Sequence, residues 1–230
     1  MDTAKQSCII FFMKYPEPGQ VKTRLGHAIG QQQAAELYAC FVEDIVDLLI
    51  EKNIPTICCY EPDSARASIE AWLGPRHHYV AQAGTTLGER MENAFTQSFK
   101  LGFSRAIVIG TDIPDLPATH LHEALEAVKS HDCVIGPATD GGYYLIGLPA
   151  VTFVPAIFQD ITWSTSTVYA ETMATLHGHH LKPHILPTWH DVDTYADLCE
   201  LIERNANTSF ATSKTYQTVL QNGWQRHHRG

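Results

Sequence analysis

Continuous apolar runs alternate along this chain with stretches of helical period. Cys8-Ile9-Ile10-Phe11-Phe12-Met13 is apolar at every position, which suits a strand covered on both faces. Beyond a polar loop, Ala34, Leu37, Phe41, Ile45 and Leu48 recur at helical spacing. Pro55 then opens a second strand, Thr56-Ile57-Cys58-Cys59-Tyr60. The pattern predicts a helix capped by Asp63 and reaching Trp72, a short strand at His78-Tyr79-Val80, and an amphipathic helix from Leu87 to Leu101. Ala106-Ile107-Val108-Ile109 is the clearest strand after the first. A helix from Thr119 through Val128 follows, then strands at Cys133-Val134-Ile135 and Tyr143-Tyr144-Leu145-Ile146. Helices over Ser164 to Leu176 and Tyr195 to Arg204, with a short strand at His184-Ile185-Leu186 between them, complete the reading.

Strands separated by helices predict an α/β fold with a mostly parallel sheet between helical layers. One connection departs from that rule. Only Asp140-Gly141-Gly142 and its neighbours separate the strands at 133 and 143, too short for a helical crossover, so these two are expected to be antiparallel neighbours. The 230 residues suit one domain with a sizeable core. The polar stretch Asn205 to Gly230, ending Arg226-His227-His228-Arg229-Gly230, reads as a loosely attached tail.

Composition narrows the class. A formal charge of −9 disfavours a general nucleic-acid or membrane-surface partner, because both are polyanions. Six cysteines without C-x-x-C spacing argue against a disulfide framework or a thiolate zinc site. The N-terminal apolar run is too short to span a bilayer and carries no cleavage signal. A cytoplasmic location with no membrane span is the expectation.

The loop after the first strand carries Lys14, Lys22 and Arg24 around Gly19. In an open parallel sheet ligands bind beyond the carboxyl ends of the strands, so these cations can cradle an anion, although a solvated loop would carry them equally well. Neither a Walker A nor a dinucleotide glycine pattern is present. Asp112 follows the strand at 106–109 and would project over the sheet edge. A hard cation favours such a carboxylate together with substrate phosphates, while helix capping or turn formation is the simpler alternative. Asp191 and Asp193 could complete that site, or Thr194 or Asp193 could cap the next helix. Asp140-Gly141-Gly142 suits a tight turn, and also the close approach of a sugar or base whose hydroxyls Asp140 would accept. Trp163 reads as core or cleft wall, Ser164-Thr165-Ser166-Thr167 as a helix start, and His177, His179, His180 and His184 as surface histidines.

Five blocks in order carry a family resemblance: Phe12-Met13-Lys14-Tyr15-Pro16-Glu17-Pro18-Gly19-Gln20-Val21-Lys22-Thr23-Arg24-Leu25; Gly110-Thr111-Asp112-Ile113-Pro114-Asp115-Leu116; Gly136 to Leu148; Trp163-Ser164-Thr165; and Asp191-Val192-Asp193-Thr194-Tyr195-Ala196-Asp197-Leu198. With Leu87-Gly88-Glu89-Arg90-Met91, they resemble the DUF2064, glycosyltransferase-A-like proteins of the nucleotide-diphospho-sugar transferase superfamily. The sequence is more distantly similar to 2-phospholactate guanylyltransferase and the molybdenum-cofactor guanylyltransferase.

The resemblance implies a glycosyltransferase-A fold with one antiparallel strand near the active site. It implies that Lys14, Lys22 and Arg24 bind phosphates, that Asp112 is the principal ligand of Mg²⁺ or Mn²⁺, and that Asp193 is a second ligand. Arg90 would reach the phosphates or the base. Glycosyltransferases of this fold carry a D-x-D pair where this chain reads Thr111-Asp112-Ile113, so the implied activity leans to nucleotidyl transfer with release of pyrophosphate. Glycosyl transfer from a nucleotide-sugar, with Asp140 as base, and non-catalytic nucleotide binding remain as alternatives. The expected partners are a nucleotide or nucleotide-sugar and an acceptor of unknown identity.

Overall fold

A computed structural model of the chain describes residues 5–224. Its centre is a seven-stranded sheet built from β1 (Lys5–Lys14), β2 (Thr56–Glu61), β3 (His78–Ala81), β4 (Phe103–Ile109), β5 (Cys133–Pro137), β6 (Tyr143–Pro149) and β7 (Pro183–Ile185). The order is β3-β2-β1-β4-β6-β5-β7. Every pairing is parallel except those of β6, which runs antiparallel to both β4 and β5. The short connection at Asp140 thus does reverse the chain. The sheet is the mixed, mostly parallel one expected of the nucleotide-diphospho-sugar transferase fold.

The apolar runs are buried on both sides, with neighbouring residues of one strand serving different layers. On one face Ile9, Phe11 and Met13 pack with Tyr38, Val42, Ile45 and Leu49 of α2 (Gln31–Glu51) and with Leu121 and Ala124 of α5 (Ala118–Ala127). On the other, Cys8 and Ile10 meet Met91, Ala94 and Phe95 of α4 (Leu87–Lys100) and Leu176 of α6 (Val168–Gly178). The remaining helices are α1 (Thr23–Ile29), α3 (Arg66–Leu73), α7 (Tyr195–Asn205) and α8 (Lys214–Gln221). All six cysteines are unpaired thiols, and burial pushes Cys8, Cys58 and Cys59 up to about 12. No helix among the described residues is long and apolar enough to cross a membrane.

Three sequence expectations need correction. The stretch from Asn205 is not a loose tail: Tyr216 and Val219 of α8 join Leu25, Leu37, Phe41, Leu198 and Leu201 in a third apolar cluster. Asp44 caps α8 by accepting the backbone N–H groups of Lys214 and Thr215 at 2.9 and 2.8 Å. The final Arg226-His227-His228-Arg229-Gly230 lies outside the described residues. Asp63 does not cap α3; it begins a short 3₁₀ turn after Pro62, and the helix starts at Arg66. Finally, α6 starts at Val168 rather than Ser164. Ser164 has φ 64°, a left-handed conformation that a right-handed helix cannot contain. The Thr165 and Thr167 hydroxyls are spent on Thr162 O at 2.6 Å and Glu171 Oε1 at 2.7 Å.

Candidate functional site

The carboxyl ends of β1, β2 and β4 open onto a cleft of two adjoining chambers, of about 580 and 630 Å³. Arg24, Asp112, Tyr143 and Asp193 line both. The first chamber holds Lys14, Lys22, Arg24 and Arg90. The second holds Asp140, Gly142, Trp163, Ser164, Thr165, Ser166 and Asp191. All four cations and four carboxylates singled out from the sequence therefore share one cleft, although they come from distant parts of the chain.

Lys14 is the last residue of β1, and its backbone N–H donates to the buried Tyr38 hydroxyl at 2.9 Å. Its ammonium meets Glu61, the last residue of β2, at 3.0 Å. Arg90, one turn into α4, reaches the other oxygen of Glu61 and also donates to Gly84 O at 3.2 Å. Burial by itself would raise the Glu61 carboxyl, but the hydrogen bonds and charges of Lys14 and Arg90 outweigh it and hold the group below the usual range. Beside them, Gln82 donates its amide N–H groups to Met13 O at 3.2 Å and Cys59 O at 3.1 Å. Its side chain is thereby pinned.

Lys22 lies deeper. It has φ 46° immediately before α1, and its side chain is 3% exposed. Its ammonium contacts Asp112 Oδ1 and lies 2.9 Å from Asp193 Oδ1. Arg24 takes Asp193 Oδ2 at 2.5 Å. Burial opposes the charge on Lys22, yet the two carboxylates win and hold its pKa above the usual lysine range. Asp193 is likewise opposed by burial and held below the carboxylate range by Lys22 and Arg24.

Neither carboxylate serves as a helix cap. Pro117 occupies the cap position of α5. Thr194 caps α7 in a reciprocal capping box, with Asp197 N donating to Thr194 Oγ1 at 3.3 Å and Thr194 N to Asp197 Oδ2 at 2.7 Å. The two segments are joined directly by Val192 N donating to Asp112 O at 2.8 Å. They are also joined from beneath by Asp115, whose buried carboxylate accepts from Arg204 at 2.8 and 3.1 Å, Asn205 at 2.7 Å and Trp189 at 3.2 Å.

The glycines have local explanations. Gly19 has φ 76° with open space where a side chain would go; it shapes the turn and does not line the cleft. Gly141 has φ 91°, and a Cβ there would meet the backbone oxygen of Ser166 at 2.2 Å. Asp140 Oδ1 accepts from Gly142 N at 2.8 Å, the side-chain-closed turn expected of this sequence. The chain's own 164–166 segment fills the space beside Gly141, so a ligand's approach is not what its lack of a side chain serves. Trp163 stands as a wall of the second chamber, edge-on to Tyr143 at 6.5 Å. Asp191 is raised to about 7, first by burial and then by the charges of Asp140, Asp112 and Asp193, with Lys22 offsetting part of the rise.

Motif reading passed over Glu61 and Gln82 in the cleft and the buried Asp115 beneath it. Glu61 and Gln82 stand at strand ends beside Lys14, a position that marks ligand sites in parallel sheets. Asp115 lay inside a recognised block and gave no separate signal.

Among the described residues no three His, Cys, Asp or Glu side chains form a ready-made metal cage. A hard cation does not need one, since one or two carboxylates plus ligand phosphates suffice. Asp112 and Asp193 are the two carboxylates of the cleft that meet on one positive charge, the Lys22 ammonium.

The family described as an uncharacterized protein conserved in bacteria (DUF2064) matches residues 45–165. No curated protein matches the chain. Among solved structures, a protein of Desulfovibrio desulfuricans G20, provisionally described as a nucleotide-diphospho-sugar transferase, is 43% identical, covering 94% of this chain and 95% of its own, with a TM-score of 0.91. Rv0371c of Mycobacterium tuberculosis H37Rv, solved in complex with manganese, is 12% identical over 86% of this chain and 99% of its own, with a TM-score of 0.53. The Methanothermobacter nucleotidyl transferase Mth528 is 11% identical over 88% of this chain and 99% of its own, with a TM-score of 0.57. The last two likenesses are of fold alone. The family match and the 43% identical relative establish that the chain belongs to the DUF2064 family.

Proposed function

We propose that the protein is a divalent-metal-dependent transferase acting on a nucleoside triphosphate or nucleotide-sugar, with nucleotidyl transfer and pyrophosphate release as the leading reaction. The observation that carries this reading is the convergence of Lys14, Lys22, Arg24 and Arg90 with Asp112 and Asp193 in one cleft at the strand ends. Lys offers phosphate a point charge, and Arg a planar fork for two oxygens. Both would exchange their present carboxylate partners for phosphate oxygens. Asp112 and Asp193 would hold Mg²⁺ or Mn²⁺, which when bound supplies neutralisation of charge on the phosphate oxygens. The manganese complex of the similarly folded Rv0371c supports that choice of ion.

In this reading an ionised oxygen of an acceptor phosphate, presented from the second chamber, forms a bond to the α-phosphorus. The bond from that phosphorus to the β-phosphate oxygen breaks, and the electron pair leaves with pyrophosphate. Lys22 and Arg24 stabilise the departing charge, and no protein nucleophile is needed. One domain spanning the described residues would carry both chambers.

Glycosyl transfer is the second reading, favoured by the description of the 43% identical relative. There the leaving group is a nucleoside diphosphate, and Asp140 or Asp191 would take the proton of an acceptor alcohol.

Incubation with nucleoside triphosphates and nucleotide-sugars in Mg²⁺ separates the two readings. Pyrophosphate release supports the first, and nucleoside diphosphate release the second. Failure of every member of the panel to bind, judged by calorimetry with Mg²⁺ or Mn²⁺, would remove both.

A further inference from the structure

Lys22 is the most confined charge of the cleft. Its backbone is left-handed, its side chain is 3% exposed, and its ammonium lies 5.6 Å from the centre of the Phe41 ring. From that seat it touches one oxygen of Asp112 and one of Asp193. Arg24 is different: it is 66% exposed and reaches Asp193 alone. Among the described residues, Lys22 makes the ion pair to Asp112, and it does so from the gap between the two carboxylates.

A divalent ion held by both carboxylates would need oxygens at about 2.0–2.6 Å. It would occupy the gap that the ammonium now fills. Like charges in one partly desolvated gap repel strongly, so the two occupants exclude one another. The lysine that blocks the gap spends one N–H on each carboxylate and keeps a third for a phosphate oxygen, so an arriving phosphate competes with the two carboxylates for its single positive charge.

We propose that Lys22 is a place-holder cation. In the nucleotide-free protein it keeps a divalent ion off Asp112 and Asp193, and the ion enters only when phosphate draws the ammonium away. This rests on the reading of the cleft as a phosphate and metal site, and adds an order to it. Metal and phosphate bind as a coupled pair, with one side chain carrying the coupling.

The test measures Mn²⁺ binding to the nucleotide-free full chain by paramagnetic resonance. Lys22→Met is expected to bind Mn²⁺ at least about tenfold more tightly than the unsubstituted protein, because a competing charge has gone. The gain should vanish when Asp112→Asn is added. Arg24→Met, which removes an exposed charge from one carboxylate, is expected to shift affinity by less than about threefold. A folded Lys22→Met protein, shown so by its circular dichroism, that binds Mn²⁺ no more tightly than the parent overturns the proposal.

Should Lys22→Met not fold, crystals of the unsubstituted, nucleotide-free protein soaked in Mn²⁺ decide the matter. No anomalous peak is expected between Asp112 and Asp193. A peak there in the absence of phosphate and nucleotide, wherever the Lys22 side chain then lies, overturns the proposal. The underlying reading fails separately, through lack of nucleotide binding in Mg²⁺ or Mn²⁺, and its failure leaves the Mn²⁺ comparison meaningful.

Discussion

Lys14 and Arg90 meet on Glu61 at one end of the cleft, whereas at the other Asp140 and Asp191 form no ion pair among the described residues. The two sides arise from one sheet, and strand direction accounts for the contrast. β1 and β2 run in parallel, so their last residues, Lys14 and Glu61, deliver charge directly to the rim. β6 runs the other way, so its beginning reaches the same rim, preceded by the turn at Asp140. The sides are also anchored differently. The cation side is tied by partly exposed pairs of its own, with Lys14 54% exposed, while the acidic side hangs on the fully buried Asp115 carboxylate. At the Lys14 end the charge sits on loose pairs. Geometry that must persist sits on a buried one.

Substitutions can break each half of this contrast. The largest effect belongs to Asp115→Ala, which strands Arg204 and should cost about 3–5 kcal/mol in urea unfolding. A loss under about 1 kcal/mol would mean that the acidic side is held by something else. Next comes Asp112→Asn, expected to lower turnover in Mg²⁺ by at least about a hundredfold with whichever donor is used. Unchanged turnover would dissociate the shared wall from the chemistry. Gly141→Ala forces a side chain into the Ser166 backbone at a left-handed position and should destabilise by about 1–3 kcal/mol in thermal or denaturant melts.

The smallest effect is reserved for the cation side. Glu61→Gln should cost no more than about 1 kcal/mol at neutral pH. Because the folded-state pKa of Glu61 is depressed, its stabilisation is present above the unfolded value of about 4.3 and lost as pH falls through the folded one. The stability gap between Glu61→Gln and the parent should therefore close between about pH 5 and pH 3, measured by denaturant unfolding at each pH. A gap that persists at the acid end would contradict the ion-pair account.

Much of this was readable from residues alone. The apolar runs located the buried strands, and the short link at Asp140 revealed the reversed one, because chain length alone forbids a helical crossover there. Lys14, Lys22, Arg24 and Asp112 stood out because they follow strand ends, although a solvated loop and a helix cap explained them as well until the family blocks were set beside them. Other features are long-range and left no local trace. The pairing of Lys22 with Asp193 spans 171 residues, and the partners of Asp115 are 74 to 90 residues away. Asp193 and Thr194 were equal candidates for the cap of α7 until the Asp197 hydrogen bonds assigned it to Thr194 and left Asp193 facing the cleft. The tail misled for a related reason. Its apolar residues are few and widely spaced, and only their partners on α2 and α7 show that they are buried.

The apolar cluster around Phe41 reaches further than its position suggests. The ring that lies beneath the Lys22 ammonium packs in the same cluster as Tyr216 and Val219. A fragment ending at residue 204, where polar composition invites a boundary, would strip the backing from that ring. It would unsettle a charge buried almost two hundred residues earlier in the chain. For anyone trimming this protein for crystals or assays, the last helix belongs with the cleft.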